Sequence, residues 1–325
     1  MKKILLATTA LVGFAGAAAA EIKLTGYAEI GIAGGSGTDL DPVTPGVQDF
    51  GTQFWNDIDV TITMSGESDS GLSFGATIDI DELNGDSIDA TGGCNAGAKE
   101  NDSSVWVSGS FGKVTLGDTD GALDWATDEI YLGTSLADDH STHAGAYWNT
   151  GLDGLYDGQV MRYEYSFGDF GAAFSAELDD TGTGDAVLGL GVKWSGDFNG
   201  TAVSAGLGYQ TADVAGVSLD STSLSVGATM ANGFSAKLGY ANNPFGVPDS
   251  DWWGLGLGYT ANGLTVQANY GSFDFVGGDS DGWGLVANYD LGGGAVAMFG
   301  YGDGDFTSSN GHGDKTWSAG LGLSF

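Results

Sequence analysis

Apolar side chains recur at every second position along most of this chain, and the positions between them are polar or glycine. Trp317, Ala319, Leu321, Leu323 and Phe325 alternate with Ser318, Gly320, Gly322 and Ser324. Leu72, Phe74, Ala76, Ile78 and Ile80 alternate with Ser73, Gly75, Thr77, Asp79 and Asp81, and the runs from Leu224 and from Leu264 behave alike. Consecutive side chains of a strand face opposite ways, so this is the period of a sheet with one apolar face. Sixteen such segments are predicted, near 22–33, 54–67, 72–82, 103–110, 113–118, 159–167, 171–179, 185–195, 201–211, 221–231, 234–243, 251–261, 264–274, 281–291, 295–305 and 315–325.

The connections separate two kinds of β architecture. Short ones such as Gly168-Asp169-Phe170, Asn232-Gly233, Asn262-Gly263 and Gly292-Gly293-Gly294 suit tight hairpins, whose central residues need positive φ. They take turns with longer polar segments near 34–53, 83–102, 119–158, 244–250 and 306–314. Short turns at one end and long loops at the other describe a barrel that crosses a membrane, whereas a sandwich has no reason to rotate the two lengths. Aromatic residues gather near segment ends, among them Trp252, Trp253, Tyr259, Trp283, Tyr289, Phe299, Tyr301 and Trp317. Such girdles fit the membrane–water boundary, where a ring is half apolar and half wet. After the first residues no run reaches the roughly 20 apolar residues that a spanning helix needs, which leaves a barrel open because its strands alternate. The expectation is one closed, antiparallel transmembrane β-barrel over residues 21–325.

The ends and the composition narrow this further. Lys2 and Lys3, the apolar run Ile4–Ala17 and Ala18-Ala19-Ala20 read as a secretory signal peptide over 1–20, with Glu21 opening the exported chain. Without Lys2 and Lys3, seven basic residues stand against 43 acidic ones, a formal charge of −36. Nucleic-acid binding is excluded, since phosphate contacts need clustered Lys and Arg. Aromatics at 11% in periodic places argue against the disorder that such charge would otherwise suggest. Cys94, the single cysteine, excludes an internal disulfide and a multi-cysteine metal site. The 59 glycines and four prolines suit tilted, curved strands with small inward residues.

Three stretches carry a family resemblance. Glu21-Ile22-Lys23-Leu24-Thr25-Gly26-Tyr27 opens the exported chain, Ser110-Phe111-Gly112-Lys113-Val114-Thr115-Leu116-Gly117-Asp118 lies before the longest loop, and Phe325 closes it. In this order they resemble the general porins of alphaproteobacteria, the Rhodobacter-type Gram-negative porin family. The resemblance implies a homotrimer of sixteen-stranded barrels in the outer membrane, in contact with lipid and lipopolysaccharide. It implies passive diffusion of small hydrophilic solutes without enzymatic activity or a required cofactor. It also implies that the third loop, about residues 119–158, folds into the lumen as a constriction.

Strand parity then nominates lumen-facing groups. Asp57, Asp59, Asp79 and Asp81 alternate with Ile58, Val60, Ile78 and Ile80; Arg162 and Glu164 alternate with Met161, Tyr163 and Tyr165; Lys193 and Lys237 have apolar neighbours. A charge in the lipid-facing band costs about 2–4 kcal/mol at midplane, which turns these side chains inward. The long loop adds Asp118, Asp120, Asp124, Asp128 and Glu129, and then Asp138, Asp139, Asp153 and Asp157. The family opposes such carboxylates with arginines on the wall, and here the chain departs from it, having one arginine, Arg162. A pore lined by one sign of charge concentrates counter-ions, so cation selectivity is expected. Asp118, Asp120 and Asp124 could hold Ca²⁺, which prefers several oxygen ligands. Two other readings compete. A secreted acidic calcium-binding adhesin or structural protein would dissolve without detergent. A barrel hydrolase would draw on His140, His143 or His312, of which Asp139-His140-Ser141 is the nearest to a catalytic cluster.

Overall fold

The computed structural model describes residues 20–39, 46–81, 99–136, 150–179, 181–182, 184–214, 216–304 and 315–325. The signal-peptide reading, Cys94, the three histidines, Asp138 and Asp139 lie outside those residues, as does the side chain of Asp81. Sixteen strands follow one another: β1 (Glu21–Asp39), β2 (Gly46–Glu67), β3 (Ser73–Asp81), β4 (Lys99–Gly109), β5 (Gly112–Asp118), β6 (Gln159–Phe167), β7 (Phe170–Glu177) and β8 (Val187–Phe198). The second half holds β9 (Thr201–Val214), β10 (Val217–Met230), β11 (Phe234–Asn242), β12 (Asp251–Ala261), β13 (Leu264–Phe275), β14 (Gly278–Gly292), β15 (Ala295–Gly304) and β16 (Lys315–Ser324).

Each strand pairs antiparallel with its neighbours in sequence, and β1 pairs with β16, so the sheet closes on itself. Tyr27 stands opposite Asp59 on one side and Ser324 on the other. Closure leaves no edge strand with unpaired backbone groups, the condition that hydrocarbon imposes on a spanning sheet. The two chain ends meet at the turn end, where the Phe325 N–H donates to the Gly26 carbonyl at 2.8 Å. Glycines make the tight turns there; Gly200, Gly233 and Gly263 have φ of 82°, 94° and 80°, values at which a Cβ is penalised.

The apolar rows are exposed on the outside. Leu190, Val192, Leu224, Val226 and Val266 are open, while their strand neighbours Gly191, Ser225 and Gln267 are covered from the other face. In a water-soluble β protein these rows would be the core. Here none of the described residues packs on them, so the hydrophobic effect requires an apolar surrounding.

Aromatic rings bound this surface at both ends. Toward the loops, register places Tyr240 opposite Trp253, Tyr270 opposite Trp283 and Tyr301 opposite Trp317. Trp253 lies 5.5 Å from Tyr270 and Trp283 5.2 Å from Tyr301, centroid to centroid. Toward the turns, Phe167 stacks on Phe170, Trp194 meets Phe198, and Phe234 meets Tyr259. Trp252 departs from the girdle reading: its parity turns it inward, and it is buried with Ile130, Ala241 and Phe273.

Two sequence expectations on the loop side need correction. The segment near 34–53 is mostly strand, since β1 runs for 19 residues and β2 for 22. The rotation of short and long connections also lapses, because β9 meets β10 across 215–216 and β13 meets β14 across 276–277. Pairing simply continues outward until a glycine, Gly216 or Gly278, allows the reversal. Polar residues beyond the apolar band look like loop in a sequence although their backbone remains paired.

Candidate functional site

Between β5 and β6 the chain leaves the sheet, and residues 119–136 run along the face opposite the exposed apolar rows. We call this segment the strap. Its single helical turn, α1 (Ala122–Ala126), is too short to be stable alone, so its position comes from the wall. The Ala122 N–H donates to Ser175 of β7 at 2.8 Å, and the Asp128 N–H to Ser225 of β10 at 2.7 Å. The Leu132 N–H donates to the Gln267 side-chain oxygen of β13. Asn288 of β14 and Ser318 of β16 donate to the carbonyls of Thr134 and Leu136. A strap with only one helical turn of its own thereby has backbone polar groups beyond that turn satisfied by wall side chains, as burial demands.

Glycine makes room for this approach. A Cβ on Gly191 or Gly206 would overlap the carbonyl oxygens of Ala122 and Ala126, and one on Gly256 would overlap that of Ile130. Three strap side chains, Leu123, Ile130 and Leu136, are fully buried in the notches so formed. Leu123 sits against Gly208, Ile130 against Gly239 and Gly254, and Leu136 against Gly31 and Gly320. The inward glycines therefore do more than let the strands curve. Their spacing matches apolar strap residues far away in the chain, a relation that no local pattern reveals.

The inward basic residues are bound to this strap. Arg162, 7% exposed, donates to the Asp120 carbonyl oxygen and makes ion pairs with Glu164 at 3.3 Å and Asp120 at 3.8 Å. Lys193 donates to the Trp125 carbonyl at 2.9 Å and lies 3.7 Å from the centre of the Trp125 ring. Lys237 donates to the Glu129 carbonyl at 2.9 Å. Lys113, beside them on β5, pairs with Glu164 at 3.7 Å. Arg162, Lys193 and Lys237 lie on the face opposite the apolar rows, and their partners are peptide carbonyls of the strap.

The wall of β1 to β3 is acidic. Asp57, Asp59 and Asp79 are half-buried on the face opposite Ile58 and Ile80. Asp57 stands in register with Glu29, and Thr61 donates to Asp79 at 2.9 Å. Glu29 was missed in the sequence, although Tyr27, Glu29 and Gly31 alternate with Ala28, Ile30 and Ile32. It accepts hydrogen bonds from Trp55 Nε1 at 2.8 Å and from the Tyr27 hydroxyl at 3.1 Å. Asp118 is the exception among the predicted group, since it shares the outward parity of Leu116 at the loop end of β5. Among the described residues no group of three or more His, Cys, Asp or Glu is arranged to hold a metal ion, and Asp118, Asp120 and Asp124 are not gathered into one.

The stem of the loop carries two perturbed carboxyls outside the strands. Asp153 accepts the Gly121 N–H at 2.7 Å and a proton from the Gln210 amide, while Gln210 accepts the Leu152 N–H at 2.6 Å. Burial raises Asp153 to about 6, with Glu177 and Asp120 adding to the rise and its two hydrogen bonds opposing it. Burial, then the charges of Asp120, Glu129 and Asp153, raise Asp124 to about 8, against the pull of Arg162. A carboxyl raised in the seated state favours that state while protonated. The contribution is complete below the ordinary value of 3.8 and disappears as pH rises through about 6 for Asp153 and about 8 for Asp124. Amide protection factors at Ala122 and Asp128 should therefore fall between pH 5 and 9, and Asp124→Asn should remove the upper part of the change. A flat profile in both proteins would contradict this.

Known proteins resemble this chain in sequence and in fold. The family model described as Gram-negative porin matches residues 7–309. A curated protein named porin, from Rhodobacter capsulatus, is 34% identical over 160 residues. That match spans 47% of this chain and 48% of the relative, so about half the length of the curated relative is covered. Among solved structures, a mutant of Rh. blastica porin superposes with a TM-score of 0.66 at 21% identity. A porin structure refined at 1.8 Å does so with a TM-score of 0.64 at 24% identity. Each comparison covers 94% of this chain and 100% of the other.

Proposed function

This chain belongs to the Gram-negative porin family, and from that premise we propose that it forms a water-filled, cation-selective channel in the bacterial outer membrane. Small hydrophilic solutes and cations diffuse through it passively. The strap of residues 119–136 narrows the lumen, three copies assemble as in the family, and the apolar rows face lipid and lipopolysaccharide.

The observation that carries the selectivity is the unequal use of charge. Arg162, Lys193 and Lys237 direct their donors to strap carbonyls, and Lys113 is paired with Glu164. On the far side, Glu29, Asp57, Asp59 and Asp79 present carboxylates along three adjacent strands. A cation entering the narrow part meets carboxylates along one wall, while the basic side chains opposite are fewer and drawn against the strap, Lys237 alone facing the recess beyond it. Low-dielectric walls focus that difference.

Detergent-purified protein added to a planar bilayer should give stepwise, ohmic current increments, and proteoliposomes should swell in an isotonic sugar small enough to enter. Folded protein, recognised by its altered gel migration before heating, that yields neither would refute the channel.

A further inference from the structure

On the turn-ward side of the strap, the inward rows of β8 to β11 frame an open recess of about 420 Å³. Ser195, Asp197, Ser204, Thr229 and Lys237 line it, and Leu132 of the strap forms one side. That size falls within the roughly 300–1,000 Å³ of small-molecule sites. Gly227, in its lining, leaves a notch where a side chain would stand. A Cβ there would lie 2.7 Å from Ser204 Oγ, 3.7 Å from Lys237 Cγ and 3.9 Å from Asp128 Oδ2. One small space is therefore bordered by a carboxylate, a hydroxyl and a lysine.

The two charges do not cancel each other by contact. Ion pairs among the described residues involve Lys113, Arg162 and Lys315, not Lys237 or Asp128. Lys237 spends one N–H on the Glu129 carbonyl, and an ammonium has three. Asp128 Oδ2 accepts from Ser204 at 2.9 Å, which fixes the carboxylate at the edge of the notch. Asp197, at the turn end, accepts the Gly200 N–H at 2.9 Å. A solute carrying one sign of charge is attracted by one border and repelled by the other.

We infer that this recess is a transient station for small dipolar solutes with the chemistry of a free α-amino acid. The solute's ammonium faces Asp128 and its carboxylate faces Lys237. Ser195 and Thr229 offer hydroxyls to a polar side chain. The station rests on the channel reading above and refines it, since a solute that clears the strap meets the recess next. Residence is brief, because a channel conducts only when its sites release what they hold.

The test uses single channels in dilute salt, where charge contacts are least screened, near pH 6. Free serine, serine methyl ester and N-acetylserine serve as probes. Serine should add concentration-dependent current noise or partial block, and the two singly charged analogues should act about tenfold more weakly or less, each losing one charged hydrogen-bond partner. Asp128→Asn keeps the acceptor for Ser204 and removes the charge, so the advantage of serine over N-acetylserine should disappear. Gly227→Val fills the notch and should abolish the serine effect. The station is refuted if serine leaves the open-channel current unchanged, if all three probes act alike, or if Gly227→Val channels respond as before. Absence of any current in the unaltered protein would instead remove the channel reading itself.

Discussion

Replacing Gly256 by valine should leave the barrel closed and drive the strap off its seat, so that single-channel conductance rises. Gly256 faces inward on β12, and a Cβ there would overlap the carbonyl group of Ile130. Valine suits a strand, and the outward neighbours Leu255 and Leu257 are untouched, so the sheet has no reason to open. The strap has to move, because overpacking of this kind typically costs about 1–3 kcal/mol and strap contacts yield before sheet pairing does. Displacement also draws Ile130 out of the cluster with Trp252 and Phe273. Gly277→Ala is the control, since a Cβ at that position has nothing within 4 Å. Conductance and protease cleavage within 119–136 should both increase for Gly256→Val and stay unchanged for Gly277→Ala. Equal conductance in the two variants would mean that the strap does not set the width.

The largest loss of stability is expected from Arg162→Met. The guanidinium is 7% exposed and is held by the Asp120 carbonyl, with Glu164 and Asp120 as its carboxylate partners. The loss is about 1–3 kcal/mol, because Glu164, 21% exposed, loses its charged partner while Asp120, 64% exposed, is solvated. Here two carboxylates and the nearby Asp124 would be left facing one another. Urea unfolding in detergent or liposomes should show a clearly lowered midpoint. Glu164→Gln should be milder, since Asp120 still pairs with Arg162. A midpoint for Arg162→Met within the scatter of the unaltered protein would show that the cluster is solvated after all.

The barrel was legible in the sequence because strand alternation is local. Each of the sixteen segments needs only its own residues to reveal an apolar face, and Asn-Gly or triple-glycine turns mark the reversals. Asp57, Asp59, Asp79, Arg162, Lys193 and Lys237, nominated by parity, lie on the face opposite the apolar rows. Asp118, read from sequence as part of the long loop, instead ends β5 with the outward parity of Leu116.

What the inward groups touch was not legible. Lys193 and Lys237 reach strap carbonyls 68 and 108 positions away, and their side chains look the same in sequence whether they line water or clamp a peptide. The notches for Leu123, Ile130 and Leu136 are equally hidden, because a glycine floor is defined by what lies above it. Trp252 and Trp253 show the same limit in miniature. Parity sets Trp252 inward and Trp253 outward, yet only the structure shows that Trp252 caps the strap's apolar anchor while Trp253 lies at the outer surface.

The zero-current potential across a bilayer separating concentrated from dilute potassium chloride measures most directly whether carboxylates govern passage. Carboxylate control requires the dilute side to become positive, with the potential moving toward zero when Asp57, Asp59 and Asp79 are changed together to Asn. A potential at zero, or of the opposite sign, in the unaltered protein would contradict it.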